Sequence, residues 1–281
     1  MKYMTKEWYE TMQKTGFHLL LNVSEEAEMF SEEYFERLYR MKENEYLQLQ
    51  EEVSKVKFED IFPEEFNFVP LSGESLEPAE LEEAKRHYFE IREQARLNYL
   101  NRPAFDPEQE KVKFREKLEF KIQHLEKMLP QEILQKVADI RVLALDYASD
   151  EVKKALTEYS ESNRKAIEAT QKAYWEEYKK IFKDEEPSFI SNFKFHDCKV
   201  VSCLQKGEDT VITLDNTGGF TNIKEIILKN CIIQKLDAPL EGAWWLYDEI
   251  YKTDEGYEIH VLLEKKELID FIVTVTDVEY E

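Results

Sequence analysis

The hydrophobic period of this chain changes once, near residue 193, and that change constrains its fold more than any other feature. Up to residue 182 apolar side chains recur every three to four positions, as on helix faces. From about residue 193 they alternate, as on half-buried strands. A helix-period segment cannot settle as a strand, so the chain is expected to be α+β. The expected layout is a helical domain over residues 1–185 and an antiparallel, curled or sandwich-like sheet domain over 192–281.

Thr5 reads as the N-cap of a short first helix. Phe30, Tyr34, Leu38 and Met41, then Tyr46, Leu49, Val53 and Val56, mark the next stripe. "DIFPEEFNFVPLSGESLEP" breaks the period as a loop whose Phe62, Phe66 and Phe68 are expected to pack on the helices. Pro78 opens another helix. Asp106, Pro107 and Gln109 form a capping-box start for the one after it. "PQEILQKVADIRVLALDYA" is apolar nearly all round and reads as a central buried helix, with a strand for "IRVLAL" as the alternative. Within it Asp139, Arg141 and Asp146 need charge partners if buried, and a structural ion pair is the ordinary solution. Ser149 caps a last long helix, and "KDEEPSFIS" reads as the linker.

Composition narrows the function classes. The 281 residues carry 60 acids against 38 bases, a net charge of −22, and both sides of Pro187 are acidic. Such a surface repels nucleic-acid backbones and anionic membranes and attracts a protein with a basic patch. Three cysteines, Cys198, Cys203 and Cys231, make no disulfide framework. With no signal-like start and no long apolar run, a cytoplasmic protein is expected, without cofactor and of open oligomeric state.

Phosphate-binding glycine loops, nucleophile elbows and zinc-protease helices are missing. His196 and Cys198 in "HDC" would share a face if the segment is a strand, and would then be half a metal site or a Cys–His pair. A small core cysteine is the commoner outcome. His260 alternates with Glu258 and Glu264 and is expected among acids on a polar face, not in the core. In "EGAWWLYDEIY", strand parity places Trp244 with Leu246 and Asp248, and Trp245 with Tyr247 and Glu249; a short helix is the alternative. One indole then anchors the core and the other is left to bind a basic or aromatic group. Trp244, Trp245, Tyr247, Asp248, Glu249, His196 and His260 are therefore the candidate binding residues.

The opening "MKYMTKEWYE", the middle "VADIRVLALDYAS" and the ending "FHDCKVVS…LEGAWWLYDEIYKTDEGYEIHVLL" resemble an uncharacterised family from spore-forming Gram-positive bacteria, a domain of unknown function. The resemblance implies a bacterial cytoplasmic protein and brings no catalytic residues. The acidic sheet part also resembles toxin-neutralising immunity proteins, though no motif carries that link. The expected function is non-catalytic binding of a basic protein. The alternatives are a hydrolase or metal-dependent enzyme with its site in the sheet domain, an immunity-type protein, and self-association through a helical stripe.

Overall fold

The computed structural model describes residues 1–64, 78–183 and 186–281. Phe66, Phe68 and part of the expected linker lie outside them. Helices occupy the first part of the chain, and an eight-stranded antiparallel sheet follows, so the α+β expectation holds. The chain divides into two compact units: residues 20–153, and residues 1–19 with 154–281.

The 20–153 unit is built on α2 (Glu32–Lys55), the single-turn α3 (Phe58–Ile61), α4 (Pro78–Leu100) and α5 (Pro107–Met128). Their starts follow local chemistry. Ser31 accepts the Tyr34 N–H at 3.2 Å, and Asp106 accepts the Glu108 N–H at 2.9 Å. Tyr34 and Leu38 of the expected α2 stripe are buried, whereas Leu49 and Val53 are more than half exposed and Phe30 precedes the helix.

The apolar run after α5 is not one helix. It splits into α6 (Gln131–Leu134) and α7 (Ile140–Ala144), then two strand residues, Tyr147–Ala148 (β2), which pair in parallel with Asn22–Val23 (β1). Asp139 causes the restart. It is in an extended conformation and caps α7 by accepting the Arg141 N–H at 2.9 Å. Arg141 also bonds the carboxylates of Asp139 and Glu32, a structural ion network. Asp146 then turns the chain at φ +67 and pairs with Lys121.

In the other unit, α1 (Lys6–Met12) is capped by Thr5, and α8 (Asp150–Ile181) has lysines in its last turn, where the helix dipole favours them. The strands are β3 (Lys199–Lys206), β4 (Asp209–Asp215), β5 (Glu225–Lys229), β6 (Ile232–Leu236), β7 (Trp244–Thr253), β8 (Gly256–Glu264), β9 (Leu268–Val275) and β10 (Asp277–Tyr280). Their order is β10-β5-β4-β3-β7-β8-β9-β6, and the sheet does not close. Its halves meet where β3 pairs with β7, and the residues just before each strand add backbone bonds: Trp245 N–H donates to the Cys198 carbonyl (2.8 Å) and Val200 N–H to the Ala243 carbonyl (2.8 Å).

Two continuous apolar, alternating runs each bend between the halves. "IKEIILKNCIIQKL" breaks at Asn230 (φ +46) into β5 and β6, and "ELIDFIVTVTDVEY" breaks at Thr276 into β9 and β10. The two corners are tied together: Thr276 N–H donates to the Lys229 carbonyl at 2.9 Å, and the Asn230 amide donates to Thr276 Oγ1 at 2.9 Å. Strands that change sheet at a bend let one core serve both halves. That core joins Val200, Ile212 and Ile226 to Ile259, Val261, Phe271 and Val273, all at most 1% exposed. Each such side chain contributes about 1.5–3 kcal/mol by leaving water.

Candidate functional site

The site residues are arranged by one bulge. β7 pairs with β8 in register from Trp244↔Glu264 and Trp245↔Leu263, then skips Leu246 so that Tyr247 faces Leu262. An extra residue inverts the parity beyond it. Trp244, Tyr247, Glu249 and Tyr251 therefore share one face, and Trp245, Asp248 and Ile250 share the other. This corrects the simple alternation expected from sequence, which grouped Trp244 with Asp248 and Trp245 with Tyr247 and Glu249. The segment is a strand, so the helix alternative is also set aside.

Trp245 is the core anchor, 1% exposed and edge-on to Phe193 and Phe195. Its indole N–H donates to Asp248 Oδ2 at 3.1 Å. Desolvation pushes the Asp248 carboxyl up to about 7 against that bond, and the Glu249 charge adds to the rise. Trp244 is 43% exposed, with the Lys199 ammonium 5.6 Å from its ring centre and Glu264 directly across on β8.

Glu249 is wholly buried. Its Oε1 accepts the backbone N–H groups of Tyr3 (2.9 Å) and Met4 (2.5 Å). Its Oε2 accepts the Lys2 N–H and the Tyr251 hydroxyl, both at 2.8 Å. Burial alone would raise this carboxyl. His260, the N–H groups of Lys2 and Met4, and Tyr251 outweigh it and hold the group at about 2. The arrangement is a backbone nest closed around a carboxylate, and it fastens the first residues to the sheet.

His260 lies on the Glu258–Glu264 face, as parity requires, but it is only 4% exposed. The expectation of a wet, polar face is therefore corrected: residues 1–4 and α1 cover it. His260 Nε2 is 2.6 Å from Glu258 Oε1, and its Nδ1 is 3.6 Å from Glu249 Oε2. Beside it Lys2 stacks on Tyr251, its ammonium 3.6 Å from the ring centre. Met4 and Trp8 pack with Ile167 and Tyr174 of α8 and with Tyr251.

"HDC" is not strand. β3 starts at Lys199, and Asp197 sits in a left-handed turn at φ +65, so His196 and Cys198 share no face. His196 points to the surface, with Nδ1 3.1 Å from Asp197 Oδ1 and its ring edge-on to Tyr247. Cys198 is fully buried, and desolvation pushes its thiol up, the reverse of what a nucleophile needs. The Gly218–Gly219 loop lies on this turn: a Cβ on Gly219 would come 2.4 Å from Cys198 Sγ. Among the described residues no three His, Cys, Asp or Glu side chains converge as metal ligands.

The structure thus brings together Glu249 and His260, places Tyr247 beside His196, and puts Asp248 and Trp245 on the opposite face. Sequence reasoning missed the partners of Glu249. They are main-chain amides near the start of the chain, and no residue type marks them.

Residues 105–273, more than half of the chain and nearly all of this site, match a family described as a protein of unknown function (DUF4085). The chain belongs to this family. The DUF4085 segment runs from the residue before the α5 cap into β9, so it includes Trp244, Glu249 and His260 but not the amides that Glu249 binds. No curated protein matches the chain, and no solved structure does. No helix is long and apolar enough to cross a membrane among the described residues.

Proposed function

We propose that this chain is a non-catalytic binding protein of a reducing, bacterial cytoplasm, and that Trp244 is the centre of its contact with a basic protein. One observation carries the reading. Of two adjacent tryptophans, Trp245 fills the core while Trp244 is 43% exposed, with Glu264 opposite it on β8. Glu264 is its cross-strand neighbour, and Asp197 lies across Gly218, whose added Cβ would be 2.8 Å from the Asp197 carbonyl and 3.4 Å from the Trp244 ring. The ring already faces a cation, Lys199. An arginine or lysine from a partner would stack on the exposed part of this ring, opposite Glu264. Phe220, 82% exposed, follows two residues after Gly218 on the loop that meets this ring.

Three further facts support binding over catalysis at this sheet. The Glu249 carboxylate is saturated with donors, His260 is held between two carboxylates, and Asp248 is on the other face. The three free thiols suit a reducing compartment.

Affinity capture on the intact protein, beside Trp244→Ala and Glu264→Gln, tests the reading. A basic partner is expected to bind the wild type, to fall away as salt rises, and to be lost by both variants. Capture that ignores both salt and Trp244→Ala would overturn it.

A further inference from the structure

The 20–153 unit holds a cleft of ≈340 Å³, within the range of small-ligand sites, and its walls oppose the charge of the chain. Lys42 and Tyr46 of α2 form one wall, one helical turn apart. Phe114, Lys117 and Lys121 of α5 form the other at the same spacing, and Asp146 closes the end. Three lysines thus converge in a protein of net charge −22.

Their pairings differ. Lys42 is 2.9 Å from Glu45 on its own helix, and Lys121 is 2.6 Å from Asp146. Among the described residues Lys117 has no salt bridge. Its ammonium lies 3.1 Å from the Tyr46 hydroxyl and 4.7 Å from that ring's centre. Tyr46 in turn packs against Phe114, with ring centres 5.5 Å apart. The Tyr46 hydroxyl donates to Glu110 at 3.0 Å, so Lys117 reaches that carboxylate only through the hydroxyl, and a cation with no direct ion pair among the described residues stands beside two packed rings.

We propose that this cleft binds a small organic anion, with a flat apolar body laid on Tyr46 and Phe114 and an acidic head, carboxylate, sulfonate or phosphate, held by Lys117. Lys42 and Lys121 flank the head and can exchange their surface carboxylates for it at little cost, since exposed pairs contribute little. This site is separate from Trp244 and stands or falls independently of that reading.

The test titrates the full chain with anilinonaphthalene sulfonate, followed by its fluorescence, and with its uncharged counterpart phenylnaphthylamine. One saturable site for the sulfonate is expected, with weaker binding of the uncharged probe. Lys117→Met should weaken the sulfonate roughly fivefold or more, and Lys117→Arg should retain it. Leu49→Trp, at the rim of the cleft, should block both probes. Lys117→Arg also serves as the control that the helix tolerates substitution. Equal binding of the two probes, an unchanged Lys117→Met, or binding without saturation would overturn the proposal.

Discussion

The carboxylate of Glu249 accepts the backbone N–H of Met4 at 2.5 Å, across 245 positions of chain. With the amides of Lys2 and Tyr3 it makes the first residues part of the sheet's covered face. Replacing it would strand those donors and the Tyr251 hydroxyl. Glu249→Ala is expected to cost about 3 kcal/mol, and Glu249→Gln less because it keeps an acceptor. Urea unfolding followed by circular dichroism measures both, and a loss under about 1 kcal/mol would contradict the role assigned to Glu249.

The same group sets an acid limit. Its folded pKa, about 2, lies below its ordinary value of 4.5. The folded state therefore gains from its ionisation above pH 4.5, and loses that gain as pH falls from about 4.5 towards 2. The effect is on the order of 3 kcal/mol. Wild type should lose stability in that window more steeply than Glu249→Gln.

Asp248 acts in the opposite sense. Its folded pKa, about 7, lies above its ordinary 3.8. The folded state binds the proton more tightly, so stability falls as pH rises from about 4 to 7 and stays lower beyond. Asp248→Asn, which can still accept the Trp245 N–H, should stabilise the protein at pH 8 by about 2 kcal/mol and flatten this window. Equal effects of the substitution at pH 4 and pH 8 would count against a raised pKa at Asp248.

The two tryptophans should separate cleanly. Trp245→Ala removes a fully buried ring from the shared core and should cost about 3–5 kcal/mol. Trp244→Phe, at a half-exposed position, should stay within about 0.5 kcal/mol. Thermal or urea unfolding of the pair gives the comparison.

Gly219 has no room for a side chain. Its Cβ would meet Cys198 Sγ at 2.4 Å and the His196 carbonyl at 3.2 Å. Gly219→Ala should cost about 1–3 kcal/mol, and Cys198→Ala in the same chain should recover part of it. Purely additive effects in that double-mutant cycle would refute the contact.

Some of this was legible in the residues. The period of 3.6 up to residue 182 and of 2 beyond it gave helices and then an antiparallel sheet, because side-chain direction is a local property of each backbone geometry. Thr5, Ser149 and Asp106 were readable as caps for the same reason: a cap bonds amides two or three residues away. The buried set Ile269, Phe271, Val273 and Val275 follows from alternation within one uninterrupted strand.

Three features were settled only by the folded chain. The bulge at Leu246 inverts which neighbours Trp244 and Trp245 have, and it exists only as a mismatch between β7 and β8. The corners at Asn230 and Thr276 divide apolar runs that look continuous, because the two halves of the sheet need strands to cross between them. His260 and Glu249 have the alternation of a solvent-facing strand, yet both are buried, because the opening residues and α1 lie over them. Sequence alone thus determined the elements and the parity within each, which depend on neighbours along the chain. Tertiary structure decided the register, the bends and the covering of the polar face, which depend on hydrogen bonds between residues far apart in the chain.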